Sequence, residues 1–149
     1  MAHRDVSPAN QAWEALLRAQ STLARKFVAD DVWEDVSELE YDVLYTLSKA
    51  PAGLRMSEIN QRVMVTQPGM SKLVSRLEKR GLLRKSPDPE DARASRVLLT
   101  EQGQVLQRRT GLRHGRKVAE AMTHALDADQ LRTLRDLCSL LIEKGPTTP

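Results

Sequence analysis

The chain has 149 residues, 40% of them hydrophobic and 29% charged, and a formal net charge of +3. That is one domain's worth of soluble globular chain, and it excludes disordered and membrane-embedded compositions. Its one cysteine, Cys138, excludes an internal disulfide and a cysteine-rich zinc site. No apolar run approaches the roughly 20 residues of a membrane span, and Met1-Ala2-His3-Arg4-Asp5 lacks the apolar core of a signal peptide, so a cytoplasmic location is expected.

In chain order, the first predicted helix runs from about Pro8 to Phe27, with Trp13, Leu16, Leu17, Leu23, Ala24 and Phe27 along one stripe. An acidic stretch follows, Asp30, Asp31, Glu34, Asp35, Glu38, Glu40 and Asp42. Within it Ser37 opens a second helix. Glu40 completes a capping box, and Val36 with Tyr41 forms a hydrophobic staple. Leu39, Val43, Leu44 and Leu47 are the expected buried stripe, and the helix stops at Lys49-Ala50-Pro51-Ala52-Gly53. A short helix over Met56–Val63, with Ile59 and Val63 on one face, is joined to the next by only Met64-Val65, as a helix-turn-helix requires.

The fourth helix carries most of the signal. Met70, Leu73, Val74 and Leu77 fall at i, i+3, i+4 and i+7, so that face packs inward. Thr66 is the expected N-cap, Pro68 fits only a first turn, and Gly81 supplies the left-handed stop. The outer face is left with Gln67, Ser71, Lys72, Ser75, Arg76 and Lys79, the short polar groups weighted toward the N-terminal turns. A B-DNA major groove about 12 Å wide admits one such helix, whose early residues reach base edges while flanking cations hold phosphates. Gly69 lets the backbone come close. Downstream, Leu82–Pro87 and Arg96–Leu99 have strand length around the tip 88–95, a charged hairpin in the place of a wing. Residues 66–96 hold eight cations against four carboxylates, a local net of +4 that says more than the total.

After the hairpin, Thr100 caps a long helix reaching about Ala125, with internal Gly111 and Gly115 and a basic middle of Arg108, Arg109, Arg113, Arg116 and Lys117. Each internal glycine costs about 1 kcal/mol relative to alanine, which predicts a bend or close packing there. The final helix opens at Asp127, with Gln130 as capping-box partner, and carries the stripe Leu131, Leu134, Leu137, Cys138, Leu141 and Ile142 before Gly145-Pro146. The fold class is therefore mostly α with a small β-wing: a winged helix-turn-helix lobe over about 37–100, with N- and C-terminal helices over about 8–36 and 101–144. Two long apolar-faced helices at opposite ends of the chain suit a second copy, and Leu131, Leu134, Cys138 and Leu141 are the expected dimer interface.

The run Ser71–Leu83 resembles the "S/T-x-L-V-x-R-L-E-x-x-G-L" recognition phrase of MarR-type regulators. Asp91-Ala92-Arg93 followed by Val97-Leu98-Leu99-Thr100-Glu101-Gln102-Gly103 resembles that family's "D-x-R…V-x-L-T-x-x-G" wing signature. Leu77…Gly81 or Asp91-x-Arg93 alone is weak, but the joint occurrence at this spacing is specific. The resemblance implies a homodimeric, ligand-responsive repressor that binds a pseudo-palindromic duplex operator. It also implies that Arg93 enters a minor groove and that Asp91 braces it. The negative potential of a narrow A·T-rich groove favours that arrangement. Arg96 contacts phosphate or lines the exposed face of its strand. The family's effectors, often aromatic or phenolic acids, bind between the dimerisation helices and the DNA-binding lobe, which by position implies Trp13, Leu17, Tyr45 and His114 as lining.

No cofactor is expected beyond such an effector. The chain has no phosphate-binding glycine loop, no zinc-spaced histidine pair and no nucleophile motif, so a non-enzyme without a metal is expected. Cys138 lies in an apolar stripe, and the first helix, where the family's peroxide sensors carry their reactive cysteine, has none. The alternative reading is a winged-helix protein-interaction module without specific DNA binding.

Overall fold

The computed structural model describes residues 6–63 and 67–146, so the expected N-cap Thr66 and the connection Met64-Val65 lie outside the described residues. Its elements are α1 (Ser7–Val28), α2 (Glu38–Ser48), β1 (Leu54–Arg55), α3 (Met56–Arg62), α4 (Gln67–Lys79), β2 (Leu83–Pro87), β3 (Ser95–Leu99), α5 (Glu101–Ala125) and α6 (Ala128–Lys144). The strands form one antiparallel sheet in the order β1-β3-β2, with Leu83 opposite Leu99 and Leu54 opposite Val97. This is a mostly helical winged-helix fold.

The chain divides into two compact units, one of residues 28–114 and the other of residues 1–27 and 115–149. The central unit is wider than the 37–100 read from sequence, because its core draws on both flanks. Val36 from the loop before α2 and Leu106 from the first half of α5 join Val43, Leu44, Leu47, Ile59, Met70, Val74, Leu77 and Val97 in one buried cluster. Ser37 and Glu40 form the expected capping box at 3.0 and 3.1 Å, and Val36 and Tyr41 are both buried in that cluster. Leu39 departs from its expected place in the buried stripe. It is exposed, and Glu40 and Tyr41 turn inward instead.

The turn after α4 is a Schellman motif. Leu82 N–H donates to Leu77 O at 3.0 Å and Gly81 N–H to Glu78 O at 2.9 Å, with Gly81 at φ +75°. This places β2 directly after the helix. Thr100 then ties the base of the hairpin together. Its hydroxyl donates to Gly81 O at 2.6 Å and accepts from Gly103 N–H at 3.0 Å, capping α5 as expected. Gly103 is needed because a Cβ there would lie 2.1 Å from Leu82 O. The T-x-x-G phrase is thus a device for seating α5 on the wing's base. Of the two expected tight glycines farther on, a Cβ at Gly111 would stand 3.0 Å from Tyr41 Oη, whereas one at Gly115 would meet nothing within 4 Å.

In the second unit Asp127 caps α6, its side chain accepting from Gln130 N–H at 2.9 Å while Gln130 Oε1 accepts from Asp127 N–H at 2.9 Å. Neither α1 nor α6 contains a buried residue. Trp13, Leu17, Leu134, Leu137, Leu141 and Ile142 are all exposed, whereas Leu131 and Cys138 are half-buried.

Candidate nucleic-acid interface

The site is built on α4. Met70, Leu73, Val74 and Leu77 are buried, which locks the helix against the core in one rotation. Ser71, Lys72, Ser75, Arg76 and Lys79 then share one exposed face and line one shallow depression. Of Gln67 the backbone alone is described, and Gly69 is half-buried in the first turn. A face of hydroxyls and cations on a helix fixed from behind loses little freedom on binding, as groove recognition requires.

Arg76 is the exception among these cations. Its Nε donates to Glu40 Oε1 at 3.2 Å, and Arg80 reaches the same carboxylate at 3.4 Å and Asp35 O at 2.5 Å. The acidic stretch before and into α2 is thus matched to nearby arginines. Asp35 pairs with Arg109 at 2.6 Å and Glu34 with Arg113 at 2.8 Å. Among the described residues, Lys72, Lys79, Arg84, Lys85 and Arg93 make no ion pair, so α4 and the hairpin carry unneutralised positive charge.

The wing tip is organised by two aspartates of different kinds. Asp91 is exposed and its Oδ1 accepts from the backbone N–H of Arg93 at 3.0 Å, an Asx-type turn. The brace expected on the Arg93 guanidinium therefore falls, in this structure, on its backbone, and the exposed guanidinium projects from a fixed turn. Asp88, by contrast, has a wholly buried side chain between Arg55 and Arg96. The Arg55 guanidinium, the backbone N–H of Glu90, then Arg96 and the Asp91 N–H hold its carboxyl far below the usual range. Arg96 is half-buried on β3 and its Nε donates to Asp88 Oδ2 at 2.9 Å. Nothing local in the sequence distinguishes Asp88 from Glu90 or Asp91, since its partner Arg55 lies 33 positions away.

Tyr45 and His114, two of the expected effector-lining residues, are linked through Tyr41, whose ring centroid is 6.0 Å from Tyr45 and 5.6 Å from His114. Trp33 completes the group, 5.0 Å from His114 and 5.6 Å from Tyr41. Burial pushes the Tyr41 phenol and the nearby Glu38 and Asp42 carboxyls up. Trp13 and Leu17 belong to the other compact unit. Among the described residues no cluster of His, Cys, Asp or Glu has the arrangement to hold a metal, and no helix is long and apolar enough to cross a membrane.

Residues 34–94, the span from the acidic stretch through the wing's Arg93, match the MarR family. Over 98% of this chain and all of the other, the fold matches the PcaV transcriptional regulator of Streptomyces coelicolor, solved with its natural ligand, at 31% identity and a TM-score of 0.64. The chain belongs to the MarR family. The HTH-type transcriptional regulator PrsX of Escherichia coli is 30% identical over 106 residues, 67% of this chain; the match spans 64% of PrsX. Sco3205, a MarR family regulator of Streptomyces coelicolor solved in complex with DNA, shares the fold with a TM-score of 0.75 at 24% identity, over 97% of this chain and 91% of its own. Within this MarR-family chain, the recognition phrase spans α4 from Ser71, the Gly81 turn and the first residue of β2, and the wing signature spans the tip, β3 and the start of α5.

Proposed function

We propose that the protein is a sequence-specific duplex-DNA-binding transcriptional regulator that acts as a homodimer. The observation that carries the reading is the exposed face of α4, where Ser71, Lys72, Ser75, Arg76 and Lys79 stand on a helix whose opposite face is wholly buried. That helix enters the major groove, Gln67 and Ser71 bias base choice, and Lys72, Arg76 and Lys79 hold phosphates. Arg93 reaches the adjacent minor groove from the wing. The family relationship and the DNA complex of Sco3205 support the reading.

The bare apolar faces of α1 and α6 support a second copy as their cover, with Leu131, Leu134, Cys138 and Leu141 in the interface. A two-fold dimer places its recognition helices in successive major grooves, about one helical turn apart, on a pseudo-palindromic operator. The protein works in the cytoplasm as a repressor released by a small aromatic effector; the ligand complex of PcaV supports the small-molecule part of this reading. Tyr45 and His114 of the central unit are the lining carried over for it. Selection of bound genomic fragments by the purified protein, repeated with aromatic acids present, tests the proposal. A pseudo-palindromic site whose yield falls with an acid is expected, and recovery of unrelated fragments refutes it.

A further inference from the structure

Asp88 is the first residue after β2, at the root of the wing, and its side chain is fully buried. A carboxylate in that position is costly unless its oxygens are satisfied. Here they accept four hydrogen bonds. Oδ2 accepts from Arg55 Nε at 2.8 Å and Arg96 Nε at 2.9 Å, and Oδ1 from the backbone N–H groups of Glu90 at 2.8 Å and Asp91 at 3.2 Å. Its own N–H closes the tip by donating to Ala94 O at 3.0 Å. Among the described residues, side-chain hydrogen bonds from the tip to elements outside the hairpin run through Asp88 alone.

The two arginines come from directly opposed positions on β1 and β3. Like charges so placed repel, and the shared oxygen of Asp88 is what permits both. Arg55 is also the residue on which α3 starts, its backbone N–H donating to Glu58 Oε2 at 2.8 Å. One carboxylate therefore joins the wing tip, the sheet and the first helix of the helix-turn-helix.

We propose that Asp88 is a positioning residue for DNA binding: by holding Arg55 and Arg96 it sets the posture of the wing against the helix-turn-helix, and Arg93 reaches its groove only while that hold persists. This rests on the DNA-binding reading above. It assigns a role to a residue outside the D-x-R phrase and to Arg55 of β1, neither of which belongs to α4.

The test is a double-mutant cycle on operator affinity at fixed salt, using the full chain as wild type, Asp88→Asn, Arg93→Ala and the double variant, with amide exchange at Glu90 and Asp91 measured on each free protein. Asparagine leaves the backbone amides only a neutral oxygen, a weaker acceptor than the carboxylate, and loses the charge that gathers the arginines. Faster exchange at the tip is expected for Asp88→Asn, with affinity lowered at least about fivefold, the scale of coupling within one hydrogen-bonded network. Arg93→Ala then costs little more in that background. If Arg93→Ala costs the same factor with and without Asp88, the proposal is overturned. Should Asp88→Asn fail to fold, Arg55→Gln replaces it in the same cycle with the same two outcomes. Wild type that binds no duplex refutes the DNA-binding reading instead, and unchanged exchange at Glu90 and Asp91 in the variant then refutes the hold itself.

Discussion

Two glycines in α5 should respond to alanine with opposite signs. Alanine is favoured over glycine in a helix by about 1 kcal/mol, so propensity alone predicts that Gly103→Ala and Gly115→Ala both stabilise. At Gly103 the new Cβ would lie 2.1 Å from Leu82 O and 3.1 Å from the carbonyl carbon, and relieving this needs roughly 1 Å of movement between helix and hairpin base. Leu82 O is not free to yield, since it accepts Thr100 N–H at 3.1 Å, and Thr100 is itself bonded to Gly81 and Gly103. Overpacking costs about 1–3 kcal/mol and a strained or lost hydrogen bond about 1 more, so after the helix-propensity gain of about 1 the net is destabilisation by about 1–3 kcal/mol. At Gly115 nothing lies within 4 Å and propensity wins. For a chain of this size the expected shifts are about 3–10 °C down for Gly103→Ala and about 2–4 °C up for Gly115→Ala, by thermal unfolding at one fixed protein concentration. A Gly103→Ala protein as stable as wild type would refute the close seating of α5 on the wing.

Arg76→Ala should weaken binding to all duplexes alike and reduce the slope of log affinity against log salt by about one, as read by fluorescence anisotropy over a salt series. An unchanged slope removes Arg76 from the phosphate contacts and leaves it a partner of Glu40 only. Because the folded state holds Asp88 below its unfolded value of about 3.9, its stabilising contribution is complete above that pH and is lost as pH falls through and below it. Denaturant titrations should therefore show Asp88→Asn less stable than wild type near pH 7, with the gap narrowing below about pH 4; a constant gap contradicts the ion pairing. A Leu134→Glu, Leu141→Glu double variant should give monomers or unfolded chains by light scattering, and a folded dimer places the interface elsewhere.

What the sequence made legible was local. The capping boxes at Ser37 and Asp127, the Gly81 stop and the Thr100 cap each depend on residues within a few positions, and all four are present. The inward face of α4 was legible because a single period of 3.6 accounts for it. Strand β1 escaped notice because two residues show no periodicity. Leu39 was misplaced because α2 is covered over a wider arc than one stripe: Glu40 is drawn inward by Arg76 of α4 and by Arg80 in the turn after it, and Tyr41 by the rings of Trp33 and His114. Asp88 meets Arg55 across 33 positions and Glu40 meets Arg76 across 36. The basic middle of α5 finds the acidic stretch across 74 and 79. Charge pairing at such separations is set by the fold, and a count of charges along the chain does not display it.

The most direct test of the central claim, that α4 and the wing read duplex DNA, is the salt dependence of binding to a duplex selected by the purified protein. The account predicts a pseudo-palindromic site with half-sites about one helical turn apart and log affinity falling linearly with log salt at about −0.9 per phosphate neutralised, several per subunit. No selected site, together with affinity indifferent to salt, would contradict it.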